Sequence, residues 1–318
     1  MKKVTLLYSV ILFALFSLLV AGCLMPASVY IEPELTRESY QSEATGKERD
    51  YFVYYPTNYS ERENWPVILF LHGNGERGDG KGELDYVLKH GPLFEAWIQH
   101  RDLPFVIIAP QLPMFDQGHI TYIADRKIED IPLREKGPYS YPPNYAGDQP
   151  IEPKPSKPSP WPLEGLPQGW PLIENEVLQI LETVLKNTNT DPTRVYLTGI
   201  SYGGFGTWHL ASNHPEKFAA IAPVVGYGHT ALAASIAEAK LPVWMFSANR
   251  DEAVPLNYFY PIANKLERLG HPEVRFTIHA DMDHQAWTRV YAGEDLYSWF
   301  LEHSLVYREK QMNSEVLE

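Results

Sequence analysis

Apolar residues in this chain follow two rhythms. Val67-Ile68-Leu69-Phe70-Leu71 and Phe105-Val106-Ile107-Ile108-Ala109 are unbroken apolar runs, the pattern of strands buried on both faces of a sheet. Residues 51–55, 194–198, 218–225, 243–247 and 274–279 read as further strands. Between these runs the period changes. Ile173, Val177, Ile180, Leu181 and Val184 repeat at helical spacing and predict a helix over 172–187. Helices are also expected over 83–98, 202–213, 256–269 and 294–303. Strand–helix alternation of this kind predicts an α/β domain, with a mostly parallel sheet covered by helices on both faces.

Three stretches break the alternation. At the start, Lys2 and Lys3 precede an almost wholly apolar run from Val4 to Leu19, the layout of a signal peptide over residues 1–22. The segment closes on Leu19-Val20-Ala21-Gly22-Cys23, which resembles a bacterial lipobox: cleavage before Cys23, then diacylglycerol with palmitate-type chains on its sulfur. The expectation is export, with the chain lipid-anchored to the cell envelope through Cys23 (the outer membrane in a Gram-negative cell). Residues 23–48, polar and charged with Pro26, Pro33 and Gly46, read as a flexible tether. The catalytic domain is expected over 49–306 and a tail over 307–318. Inside the domain, 112–171 is dense in proline and interleaved with Phe115, Tyr122, Tyr139, Trp161 and Trp170. A loop that long is functional or drapes over the surface, and this one is a candidate cap at the substrate entrance.

Composition narrows the rest. Cys23 is the only cysteine, so no intrachain disulfide forms and the fold rests on its core. The formal net charge is −13, which repels phosphate backbones and argues against a nucleic-acid partner.

Four separate pieces carry chemistry. Gly199-Ile200-Ser201-Tyr202-Gly203 lies between the strand 194–198 and the helix 202–213. That context makes a nucleophile elbow, in which a serine on a sharp strand-to-helix turn is exposed above the sheet. The strand 67–71 ends in His72-Gly73-Asn74-Gly75-Glu76-Arg77-Gly78, a loop able to supply a backbone N–H to an oxyanion. Asn74 is the candidate donor there, with Gly73 or Gly75 as alternatives, and the N–H of Tyr202 is the second. His72 is read as holding the loop by hydrogen bonds. Ser201 also needs a base and an orienting acid. Asp251, after the strand 243–247, is the candidate acid, with Glu252 as runner-up. His284, after the strand 274–279, is the candidate base, with His279 as competitor. Trp161, Trp170 and Trp287 are candidate substrate-binding residues. His279, Asp281, Asp283 and His284 are close enough in sequence to suggest a metal site, but the triad explains them with fewer assumptions, and neither metal nor organic cofactor is expected.

The run from Arg194 through Ser201 to Trp208, the run Leu71 to Gly78, and the close His284-Gln285-Ala286-Trp287 resemble the "predicted peptidase" or polyhydroxybutyrate-depolymerase-like esterase branch of the α/β-hydrolases. The resemblance covers roughly residues 50–303. It implies the α/β-hydrolase fold, a triad of Ser201, Asp251 and His284, and carboxylesterase activity, feruloyl and acetyl-xylan types included. The insertion at 112–171 departs from that family's short connection.

The reading is a serine hydrolase that cleaves carboxylic esters, small or polymer-linked, through an acyl-enzyme. A serine peptidase on the same triad is the alternative within the chemistry. A non-catalytic surface binding protein on a hydrolase scaffold is the alternative of another class.

Overall fold

The computed structural model describes residues 30–134 and 166–315. The signal peptide, Cys23, Trp161 and the middle of the proline-rich insertion lie outside the described residues. Among the described residues no helix is long and apolar enough to cross a membrane.

Eight strands form one sheet: β1 (Glu34–Gln41), β2 (Glu48–Tyr55), β3 (Trp65–Leu71), β4 (Val106–Pro110), β5 (Thr190–Ile200), β6 (Ala220–Val224), β7 (Val243–Ala248) and β8 (Val274–His279). Their spatial order is β1-β2-β4-β3-β5-β6-β7-β8. β1 with β2 and β2 with β4 are antiparallel, and every later pairing is parallel. The helices are α1 (Thr121–Ala124), α2 (Glu174–Asn187), α3 (Tyr202–Asn213), α4 (Ala233–Glu238), α5 (Tyr260–Arg268), α6 (Trp287–Ala292), α7 (Asp295–Leu301) and α8 (Leu305–Glu315).

The unbroken apolar runs have a direct cause. Along a strand, successive side chains point to opposite faces. In β3, Val67, Leu69 and Leu71 join one core layer with Val177, Ile180 and Leu181 of α2 and Leu210 and Ala211 of α3. Ile68 and Phe70 join the other, with Trp287, Val290 and Tyr291 of α6 and Leu296 and Phe300 of α7. Both faces are covered, so both parities must be apolar. The sheet thus has the doubly covered, mostly parallel form expected from the alternation.

Three expectations require correction. Residues 34–41 are not part of a flexible tether, because they form the edge strand β1 against β2. Leu35, Thr36 and Tyr40 are only partly buried and Arg37, Glu38 and Ser39 are exposed, so the strand leaves little hydrophobic trace. The helix expected over 83–98 is two separate turns, Leu84–Lys89 and Phe94–Ile98. Gly91 lies between them at φ 83°, outside helical space, and Pro92 follows it. Finally, the tail expected over 307–318 is largely α8, which is pinned by Arg308 donating to Phe218 O (2.9 Å) and Pro215 O (2.9 Å).

Candidate active site

β5, a central strand, delivers Ser201 to the carboxyl end of the sheet. The backbone there reverses sharply into α3, and Ser201 takes φ 52° and ψ −112°. A non-glycine residue in that region is strained, and the strain persists only where the surroundings enforce it. Here Ser201 N–H donates to Val224 O (2.9 Å) and Ser201 O accepts from Phe205 N–H (3.1 Å). The turn also needs a residue without a side chain at 203, since a Cβ on Gly203 would lie 1.7 Å from Leu71 O. This close approach brings α3 onto the end of β3. Helix geometry leaves the first N–H groups of α3, starting at Tyr202, directed out of its N-terminal end.

Asp251 follows β7 and His284 follows β8, so three different strand ends converge. Ser201 Oγ donates to His284 Nε2 at 3.0 Å. His284 Nδ1 donates to Asp251 Oδ2 at 2.7 Å. The other carboxylate oxygen, Oδ1, accepts from the N–H groups of Ala253 and Val254, both at 2.8 Å. Asp251 is buried and held at both oxygens, which fixes the tautomer: with Nδ1 bonded to the carboxylate, Nε2 faces the serine as an acceptor. Asp283 caps the turn that carries His284, its Oδ1 accepting from Gln285 N–H at 2.9 Å. The geometry therefore unites Ser201, His284 and Asp251 in one relay.

The competing residues lie elsewhere. Glu252 is exposed beside Asp251. His279 ends β8 with its ring stacked on Phe246 at 6.4 Å, and burial lowers its pKa. Asp281 forms a bidentate pair with Arg289, at 2.7 Å on both oxygens. Among the described residues no group of three or more His, Cys, Asp or Glu side chains is arranged to hold a metal.

The loop after β3 faces this relay. His72 is fully buried; its Nδ1 donates to Gly73 O (2.6 Å) and its Nε2 accepts from Leu112 N–H (2.8 Å). Burial depresses its pKa to about 3, so it is neutral at pH 7 and works as a brace. Asn74 opens a short 3-10 turn, and both ends of its side chain are engaged. Asn74 Oδ1 accepts from Arg77 Nε (2.5 Å), and Asn74 Nδ2 donates to Tyr122 OH (2.6 Å). Glu76 is buried beneath the loop, with Oε1 3.5 Å from His90 Nε2 and Oε2 3.9 Å from His72 Nδ1. Burial lifts its pKa to about 7. His90 is itself lowered to about 4 by burial, so neither imidazole offers the carboxylate a full charge at neutral pH.

Of the three tryptophans, Trp161 lies outside the described residues. Trp170 is core and not a substrate contact: it is 1% exposed, and its Nε1 donates to His72 O at 3.2 Å. Its neighbours in the proline-rich sequence hid that role. Trp287 stands beside the relay, its ring edge-on to His284 at a centroid distance of 5.2 Å. Its Nε1 is buried with no hydrogen-bond partner among the described residues.

Comparison with known proteins finds partial matches among hydrolases. A model of the prolyl oligopeptidase family matches residues 175–247, which include the elbow. A bifunctional acetylxylan esterase/xylanase of Neocallimastix patriciarum is 38% identical over 82 residues, 26% of this chain and 12% of that protein. A poly(3-hydroxyalkanoate) depolymerase C of Paucimonas lemoignei is 40% identical over 50 residues, 16% of this chain and again 12% of its relative. The chain thus spans about an eighth of the length of these curated relatives. A crystal structure of a thermostable esterase superposes with a TM-score of 0.58 at 25% identity, covering 85% of this chain and 63% of that one. The chain has the α/β-hydrolase fold. The parallel strands β3 to β8 and their covering helices are the scaffold of that fold, and the serine turn between β5 and α3 lies where α/β-hydrolases carry the nucleophile. Arg126 and Gln111 around the loop were missed in the sequence, and Arg77 and Tyr122 were named there without their part in holding it. Arg77 stood out by its place in the glycine-rich run and Tyr122 as an aromatic of the insertion.

Proposed function

We propose that this α/β-hydrolase is a serine esterase that cleaves carboxylic esters through Ser201, His284 and Asp251. The observation that carries the reading is the unbroken relay from Ser201 Oγ through His284 to Asp251 on a strained elbow. In this mechanism Ser201 Oγ attacks the ester carbonyl while His284 Nε2 takes its proton. Asp251 orients the imidazole and stabilises its positive charge. The carbonyl oxygen becomes an oxyanion, received by the N–H of Tyr202 and that of Asn74. His284 then gives its proton to the departing alcohol, leaving Ser201 acylated. Water, deprotonated by His284, attacks the acyl-enzyme and releases the acid and free Ser201. The two curated relatives are named for acetylxylan and for poly(3-hydroxyalkanoate), both of which are esters, and this favours ester over peptide substrates.

The test is hydrolysis of a panel by a soluble form beginning at residue 24, beside its Ser201→Ala variant. The panel is p-nitrophenyl acetate, butyrate and octanoate, methyl ferulate and a peptide anilide. The reading predicts ester turnover that falls by about 10³-fold or more in the variant. Anilide cleavage without ester cleavage would replace the esterase by a peptidase on the same residues. Silence on every substrate would favour a binding scaffold. The same reading has the chain exported and diacylglycerol-tethered at Cys23, on the lipobox-like sequence before it. Metabolic labelling should then place palmitate on the wild-type chain and none on Cys23→Ala, and an unlabelled wild-type chain would contradict the tether.

A further inference from the structure

The loop that follows β3 is fastened by an unusual set of donors. Four successive carbonyl oxygens, those of residues 75 to 78, each accept from a distant side chain. Gly75 O accepts from Arg126 (2.9 Å), Glu76 O from Gln111 Nε2 (2.9 Å), Arg77 O from Arg126 (2.5 Å) and Gly78 O from Arg49 (3.0 Å). Gln111 and Arg49 belong to the sheet region. Arg126 belongs to the insertion.

Arg126 is built into its place. Its side chain is 6% exposed. One terminal nitrogen spans the two carbonyls, and the other donates to Glu83 Oε1 at 2.8 Å. The guanidinium lies over the ring of Tyr86, 4.1 Å from its centroid. Glu83 in turn accepts from Asp79 N–H at 3.1 Å through its other oxygen, so the same unit reaches past the loop's far end. Four residues before Arg126, on α1, Tyr122 accepts from the Asn74 side chain. Arg77 completes the tie from the loop's side, donating to Pro113 O (2.9 Å) and Gln168 O (3.4 Å) at the two ends of the insertion.

We propose that Arg126, supported by Tyr122, is a positioning residue through which the insertion holds the oxyanion loop in its reactive conformation. The proposal rests on the esterase reading, because it concerns the loop donor of that reaction. The physical argument is preorganisation. An N–H donor stabilises the developing oxyanion only if it is already aimed at it, and a single donor in such a site is worth about 10²–10³ in rate. Displacement by about 1 Å forfeits much of that. A loop with glycines at 73, 75 and 78 has few side chains of its own to hold such precision. Here its carbonyls are turned toward fixed donors, and both ends of the Asn74 side chain are held. The planar fork of arginine suits this role, since it bridges two carbonyls and a carboxylate at once.

The test compares the soluble form with Arg126→Gln, Arg126→Lys and Tyr122→Phe. The readouts are kcat and KM for p-nitrophenyl acetate and Ki for an alkyl trifluoromethyl ketone, whose hemiketal places a negative oxygen in the same donor site. Arg126→Gln should lose about 10–100-fold in kcat and in trifluoromethyl ketone affinity together, with KM within about threefold. Arg126→Lys should recover part of both. Tyr122→Phe, at a largely exposed side chain, should lose about 3–10-fold in the same paired way. A folded Arg126→Gln protein with wild-type kcat and Ki overturns the proposal. If that variant fails to fold, wild-type kcat and Ki in Tyr122→Phe overturn it instead. Loss of ester turnover in Ser201→Ala beside full activity in Arg126→Gln would remove the clamp alone, whereas wild-type turnover in Ser201→Ala would remove the esterase reading and the clamp with it.

Discussion

Ser201 and Asn74 stand at the ends of neighbouring parallel strands, β5 and β3, yet they are held in different ways. Ser201 is fixed by its own backbone. The positive φ, the bond to Val224 O and the close approach of Gly203 to Leu71 O leave the turn no other course. Asp251 is likewise anchored locally, by the N–H groups two and three residues ahead of it. Asn74 is framed by side chains instead, with Arg77 on its Oδ1 and Tyr122 on its Nδ2. Its loop depends on Arg49, Gln111 and Arg126, which lie 25 to 52 residues away in sequence from the residue they position. Both are held across the sheet, but the nucleophile turn by backbone contacts to β6 and β3, and the oxyanion loop by distant side chains that bond its carbonyls.

The strongest way to sharpen this contrast is to alter the relay without altering its shape. Asp251→Asn keeps the volume and the contacts to Ala253 and Val254, but it presents His284 with an amide and favours the wrong tautomer. Ester turnover should drop by about 10³–10⁴-fold with little change in thermal stability. A loss under tenfold would show that Asp251 does not orient His284, and would shift attention to Glu252. The loop should respond less steeply to Arg126→Gln, since one weakened donor leaves the relay and the Tyr202 N–H in place.

A further effect lies under the loop and is read by pH in stability, not in turnover. Glu76 is neutral when the protein is protonated there, and burial raises its pKa from 4.5 to about 7. The native state thus binds this proton more tightly than the unfolded chain does. The stability it contributes is complete below about pH 4.5 and is lost as the pH rises through about 7. Glu76→Gln removes the titration. The stability of the variant relative to wild type should accordingly improve between pH 5 and 8, by up to about 3 kcal/mol. Denaturant titrations of both proteins across that range check it; a constant difference would mean that Glu76 is charged in the native loop.

The same contrast governs how much could be read from the sequence. Ser201, Asp251 and His284 were legible as candidates because each follows a strand-like run, and their chain order matches the fold. The long strands and α3 were legible for the same reason, since burial on both faces writes itself into composition. β1 was not, because an edge strand draws its stability from ladder bonds that need no apolar side chains. Trp170 was misjudged because a buried indole and a surface-stacking indole look alike among prolines. The Arg126 contacts were invisible because they join backbone carbonyls to a side chain about 50 residues on, and carbonyls carry no sequence signature.

The central claim is that Ser201 is the nucleophile. The most direct measurement is reaction of the soluble form with a fluorophosphonate probe, followed by intact-mass and peptide-level mass spectrometry. The account predicts one phosphonyl group per chain, located on Ser201, with loss of ester turnover in step with labelling and no adduct in Ser201→Ala. An adduct on another residue, or an unlabelled protein that still hydrolyses esters, would contradict it.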